Sequence, residues 1–187
     1  KAWRALPRDA QRRLAQQLDL ELGLDRPELE ARDGVWFLTS LDRVNCAIQV
    51  ASDLESLASN VLEACLQLFG CGRAWLASSS SASADSWRVA MERTQGAFTP
   101  ALGGAGSPLD DVTLVAVLRA VLATSGATEF GPGAQPVPEP IAARFGVHAQ
   151  LVVALFPKGT EPYVLGLQRC DDRGPWRSQD ARLLEEI

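Results

Sequence analysis

The stretch that decides the fold is Ala149-Gln-Leu-Val-Val-Ala-Leu-Phe156, followed by Pro157-Lys-Gly-Thr160 and then Pro162-Tyr-Val-Leu-Gly-Leu-Gln-Arg-Cys170. Two apolar runs of strand length flank a Pro/Gly turn, which predicts a hairpin of two antiparallel strands. A similar signal lies upstream. Ala74–Ala77 is short and apolar, and Trp87, Val89 and Met91 alternate with Arg88, Ala90 and Glu92 at period two, so Trp87 and Met91 are expected on one strand face and Arg88 and Glu92 on the other. The small polar tract Ser78–Ser86 between them reads as a hairpin loop.

Helical periods surround these strands. Ser52 with Glu55 reads as a capping box, and Leu54, Leu57, Ala58, Val61, Leu62, Cys65, Leu68 and Phe69 then recur at i, i+3, i+4 until Gly70. A preceding helix is expected from Phe37 to Ala51, carrying Leu38, Leu41, Val44 and Ile48. Residues 1–36 read as a helical lead-in, with Pro7 suited to a first turn and Ala10, Leu14, Leu18 and Leu22 on one stripe before Gly23. That lead-in is either a coiled-coil linker or the tail of an upstream domain. After a Gly/Pro-rich loop at 94–108, Ser107 and Pro108 are expected to open a helix bearing Leu114, Val117, Leu118, Val121 and Leu122. Phe130–Pro140 reads as a second loop, Pro140–Phe145 as a short helix, and Ser178 as the cap of a terminal helix whose Asp180 suits its positive end. Helices alternate with hairpins and no βαβ series occurs. The class is therefore α+β: a central antiparallel sheet with helices on one face, and pocket-covering loops and short helices on the other.

Composition narrows the function. The chain has 187 residues, net charge −5, 47% hydrophobic and 22% charged residues. It can bury a core, so disorder is excluded. The acidic balance argues against a nucleic-acid partner, and no run reaches the roughly 18 apolar residues of a membrane span. The chain begins at Lys1 without Met and stops at Ile187 inside an apparent helix, so a piece of a longer protein is expected. Cys46, Cys65, Cys71 and Cys170 form no Cys-x-x-Cys pair, which suggests a reducing, cytoplasmic setting with Cys65 in the core.

The residues also carry a family resemblance. Leu41-Asp-Arg-Val-Asn-Cys-Ala-Ile-Gln, the helix Asp53–Phe69 and Cys71-Gly-Arg-Ala-Trp-Leu resemble the opening of a GAF domain. Arg144-Phe-Gly-Val-His-Ala-Gln-Leu, Phe156-Pro-Lys-Gly, Leu165-Gly-Leu-Gln and Trp176-Arg-Ser-Gln-Asp-Ala-Arg-Leu-Leu-Glu-Glu-Ile resemble its close, over about Leu38–Ile187. Ser86-Trp-Arg-Val-Ala-Met-Glu-Arg-Thr and Gly70-Cys-Gly-Arg-Ala-Trp-Leu look like GAF domains of bacterial sensor histidine kinases. The excess of arginine over lysine suits a GC-rich bacterial genome. The resemblance implies a PAS-related sheet of about six strands over 37–187, a small-molecule pocket, and a homodimer through the first and last helices.

The family's ligand signatures are not found. There is no Asn-Lys…Phe…Asp-Glu series of the cyclic-nucleotide type, and residues 98–147 hold no Cys for a bilin or for a methionine-sulfoxide reductase. His148, the one histidine, is either a weak haem or iron ligand or a strand-edge residue bonded to backbone. Asp171 and Asp172 before Arg173-Gly174 read as a turn rather than an acid–base pair, and no catalytic or metal-binding motif appears. Pocket candidates are Trp75, Trp87, Met91, Phe130, Phe145, His148, Gln150 and Gln168, with Leu167 on the same strands. The cofactor stays unknown. The expectation is a sensory module that binds a small molecule or relays a signal through its terminal helices to a histidine kinase. The phosphoryl-transfer chemistry would lie outside the fragment. The alternative is a ligand-free dimerisation spacer in another signalling protein, for example a cyclic-dinucleotide enzyme, whose pocket Trp75, Trp87 and Phe145 would fill. A redox enzyme of the methionine-sulfoxide type is the third reading.

Overall fold

The computed structural model describes residues 26–79, 86–96, 98–103, 105–109, 111–158 and 161–187. The lead-in before Gly23, most of the 78–86 loop and the tip of the 157–160 turn fall outside them. The chain divides into two compact units, residues 1–39 and 40–187. In the first, the Thr39 hydroxyl donates to the Val35 carbonyl at 2.7 Å, and Val35 and Leu38 are exposed.

Helix α1 spans Arg26–Gln49 and so begins eleven residues before the Phe37–Ala51 helix that the pattern placed there. Helix α2 spans Leu54–Phe69. Its cap lies one residue beyond the Ser52/Glu55 reading. Asp53 accepts from the Ser56 amide at 2.7 Å, and the Ser56 hydroxyl accepts from the Asp53 amide at 3.1 Å. Adjacent Ser and Asp both suit an N-cap, and the local pattern alone does not choose between them. Gly70, at φ 57°, ends the helix in the left-handed conformation.

The sheet follows as β1 (Arg73–Ser79), β2 (Trp87–Thr94), β3 (Pro108–Leu109), then helix α3 (Val112–Leu122), β4 (Thr128–Phe130), helix α4 (Glu139–Phe145), β5 (Ala149–Leu155), β6 (Tyr163–Arg169) and helix α5 (Ser178–Glu185). Six strands pair antiparallel in the order β3-β2-β1-β6-β5-β4. Both hairpins lie where the apolar runs placed them. Ser107 and Pro108 do not cap α3: Asp111 does, accepting from the Thr113 and Leu114 amides at 3.0 Å each, and Pro108 enters edge strand β3. Nor does Ser178 cap α5. Arg177 is its N-cap, and Asp180 reaches back to accept from the Arg177 amide at 2.9 Å.

Register assigns the two faces. Arg73, Trp75 and Ala77 of β1 lie opposite Gln168, Gly166 and Val164 of β6, and so share a face with them. Gln150 and Val152 of β5 and Phe130 and Thr128 of β4 continue the same rows. We call this the loop face. It meets α3 and α4, and its apolar core holds Trp75, Trp87, Val89, Leu114, Leu118, Ile141 and Phe145. Leu76, Leu165, Leu151 and Val153 point to the other face, where α2 packs on β1 and β2 and α5 meets β5. We call it the helix face.

A bulge overturns one expectation. Leu76 pairs with Met91 but Ala77 pairs with Val89, so Ala90 is the extra residue. Each residue beyond it changes side. Trp87, Val89 and Glu92 therefore share the loop face, while Met91 points to the helix face beside α2.

Candidate functional site

The loop face buries four aromatic side chains. Trp75 and Trp87 are each 1% exposed, and Phe130 and Phe145 are buried with them. The Trp75 indole packs against Gly166, where a Cβ would collide with its Cζ2 and Cε2. Only glycine lets the ring reach the sheet. A void of about 30 Å³ on this side is lined by residues including Leu102, Leu109, Asp111, Arg144 and Phe145, room for about one water. The Trp75 Nε1 is buried without a hydrogen-bond partner among the described residues.

Beside the tryptophans runs a buried polar network. Arg73, Gln168 and Gln150 occupy one cross-strand row, and Glu92 sits in the adjacent row opposite Trp75. The Arg73 Nε lies 3.1 Å from Glu92 Oε1 as an ion pair without an aligned hydrogen bond, the two side chains 5% and 1% exposed. Arg73 Nη1 donates to Gln168 Oε1 at 2.7 Å and to the Phe145 carbonyl at 3.1 Å, and Nη2 donates to the Thr99 carbonyl at 3.2 Å. Glu92 accepts from the Ala101 and Leu102 amides at 2.9 and 3.0 Å. Gln168 Nε2 donates to Gln150 Oε1 at 2.9 Å. Two buried charges are tolerable because each is paired and hydrogen-bonded. In return they fasten the 95–107 loop and the end of α4 to the sheet.

The residue after Gln168 does the corresponding work on the opposite face. Arg169 stacks 3.9 Å above the Trp176 ring, donates to the Gly174 and Pro175 carbonyls at 3.2 and 2.8 Å, and lies 3.5 Å from Asp180. Asp180 is fully buried and also takes Arg177 at 2.8 Å. Burial lowers the Arg169 pKa, and the Asp180 carboxylate opposes that shift. The start of α5 is thereby clamped to the end of β6.

The helix face holds the large opening. A trough of about 670 Å³ lies between α2 and the sheet, lined by residues that include Leu57, Ala58, Val61, Leu76, Met91 and Leu165. Ile48 near the end of α1 and the terminal Ile187 also line it. The second half of the α2 stripe (Leu62, Cys65, Phe69) is buried, whereas Leu54 is 72% exposed.

The structure thus sorts the pocket candidates into three places. Trp75, Trp87, Phe130 and Phe145 join the loop-face core, and Gln150 and Gln168 join the polar network beside it. Met91 lines the trough, and Leu167 is buried on the helix face. His148 stands apart: half exposed, its Nδ1 is 3.1 Å from Asp172, and its amide donates to the Arg169 carbonyl at 2.8 Å. Among the described residues no three His, Cys, Asp or Glu side chains converge to hold a metal ion. Arg73 was missed, although period-two parity with Trp75 placed it on the same face. Glu92 was missed because the bulge hid its side.

All four cysteines are free. Burial raises the Cys65 pKa and pushes the Cys71 thiol up to about 12, while Cys46 is exposed. Only the thiolate alkylates. Iodoacetamide at pH 8 is therefore expected to label Cys46 first and to leave Cys65 and Cys71 unmodified until denaturant is added. Peptide mass mapping checks this, and native-state labelling of Cys71 at the rate of Cys46 would contradict it.

A six-stranded antiparallel sheet with helices on one face, and loops and short helices on the other, defines an α+β scaffold. The GAF domain family matches residues 53–187, and the chain belongs to that family. Similar solved structures include a far-red-absorbing dark state with bound biliverdin IXa, at 19% identity and TM-score 0.65 over 78% of this chain and 90% of that one. The phycocyanobilin-bound GAF domain of a cyanobacterial phytochrome aligns at 16% identity and TM-score 0.63, over 80% of this chain and 88% of that one. The chromophore-binding domain of Stigmatella aurantiaca phytochrome P1 aligns at 13% identity and TM-score 0.64, over 80% of this chain, which spans 56% of that longer structure. At these identities the likeness is one of fold. None of the curated proteins matches the chain. Among the described residues no helix is long and apolar enough to cross a membrane.

Proposed function

We propose that this chain is a regulatory GAF module of a bacterial two-component sensor histidine kinase, cytoplasmic and homodimeric through its terminal helices, which relays a conformational signal to the kinase. The observation that carries the reading is the pair Gln168–Arg169 at the end of β6. Gln168 belongs to the network that fastens the loop face, and its neighbour Arg169 grips α5 on the helix face. A rearrangement of the 95–107 loop would change the acceptors of Arg73, move Gln168 and tilt Arg169 against Asp180. The relay is then a population shift between two seatings of α5, biased by whatever prefers one of them.

The aromatic packing of the loop face supports a second reading, the ligand-free spacer, because Trp75, Trp87 and Phe145 lie together in one buried core. A fusion of the chain through Ile187 to a histidine-kinase core separates the two. Asp180→Asn, which weakens the Arg169 clamp, is expected to change autophosphorylation severalfold in the fusion while leaving the fold intact by circular dichroism. Autophosphorylation indifferent to Asp180→Asn supports the spacer and overturns the relay.

A further inference from the structure

We infer that the trough on the helix face binds one single-chain amphiphile with a cationic head. Three observations converge on it. The first is size and lining: about 670 Å³, mostly apolar, with Glu55 and Tyr163 supplying polar groups, falls within the range and chemistry of small-molecule sites. It is also several times larger than one inserted side chain, so a knob from a neighbouring helix leaves most of it open.

The second is the amphipathic pattern of α2. A helix of this kind buries its apolar stripe, yet the Leu54, Leu57, Ala58, Val61 half lines open space rather than core. An alkyl chain lying along these residues and against Leu76 and Leu165 would remove that surface from water.

The third is charge. Glu55 lies in the first turn of α2. It is the charged member of the trough lining. A fatty carboxylate head would meet it as a like charge, and an ammonium head as an opposite one. Because Ile48 and Ile187 also line the trough, its occupant would touch helix α1 and the residue two positions beyond the end of α5. The inference therefore extends the relay reading by naming a regulator, although the site itself does not depend on that reading.

The test uses decylammonium, decanol and decanoate below their aggregation concentrations, by calorimetry with native mass spectrometry for stoichiometry. One decylammonium per chain is expected, bound at least tenfold tighter than decanoate, with decanol between them. Ala58→Trp and, separately, Ala90→Leu fill the trough from opposite walls and are expected to weaken decylammonium at least tenfold, with unchanged circular dichroism. Glu55→Gln is expected to bring the three ligands within about twofold of one another. Equal binding of all three by the unaltered chain, several copies per chain, or undiminished binding in both filled variants overturns the site. So does a dimer that excludes decylammonium and that Ala58→Trp dissociates, since a second copy then covers the trough. Decylammonium that binds as expected without changing autophosphorylation of the kinase fusion keeps the site and removes only its regulatory role.

Discussion

Arg73→Met is expected to lower the unfolding free energy by about 3–5 kcal/mol, the usual cost of removing one partner of a buried ion pair. Methionine replaces the aliphatic length of the side chain but leaves the Glu92 carboxylate buried beside Trp75 with, among the described residues, the Ala101 and Leu102 amides as its donors. It also strands the Gln168 Oε1 and the Thr99 and Phe145 carbonyls, which Arg73 alone gathers. Domains of this size have roughly 5–15 kcal/mol of stability in total, so the loss is a large share of it. Urea unfolding measures the effect. Adding Glu92→Gln to Arg73→Met removes the uncompensated charge while keeping an acceptor for the loop amides, and is expected to restore part of the stability. A loss below about 1 kcal/mol in the single variant would mean that the network is solvated and does not hold the loop.

Trp75→Ala is expected to cost about 3–5 kcal/mol, the range for deleting a large aromatic from a packed core. The void would open over Gly166, among Val152, Phe145 and Ile141, whose walls belong to two layers and cannot close together. An apolar void of that kind stays dry and accepts a small aromatic. Millimolar indole is therefore expected to raise the melting temperature of Trp75→Ala and leave the unaltered chain unmoved. Gly166→Ala supplies the matching test. Its new methyl displaces the indole in the unaltered chain, whereas in the Trp75→Ala background it meets empty space. The two substitutions should couple by about 0.5–3 kcal/mol in a double-mutant cycle, as residues in contact do. Additive effects would show that the ring does not lie on Gly166.

Legibility in the sequence followed the reach of the interaction. Helix α3 was readable because Leu114, Val117, Leu118 and Val121 repeat at helical spacing, and all four are buried. The β5–β6 hairpin was readable because both partners and their turn are contiguous. The central β1–β6 pairing joins residues 85 to 95 positions apart, from Ser78–Tyr163 to Arg73–Gln168, and no local period announces it. Strands β3 and β4, of two and three residues, are too short to show alternation and exist because neighbouring strands offer them an edge. The bulge at Ala90 defeated strict alternation, and with it the assignment of Met91 and Glu92. Of the candidate site, the aromatic residues and glutamines were legible by type and strand parity. How much of the loop face Trp75 and Trp87 fill was not legible, because volume is a property of three elements together. The trough left a trace in the sequence, the α2 stripe running about two turns further toward Leu54 than the buried part, which begins at Leu62.

The relay claim comes down to whether a change on the loop face reaches α5 through β6, and hydrogen exchange along α5 in Gln168→Leu measures that most directly. This substitution removes an acceptor of Arg73 and the donor to Gln150 without touching any residue of the helix face. The account predicts faster exchange at the Ser178–Glu185 amides as well as in the 95–107 loop, because Arg169 shifts with its neighbour and loosens Asp180. Exchange altered in the loop and around α4, with α5 unchanged, would contradict it.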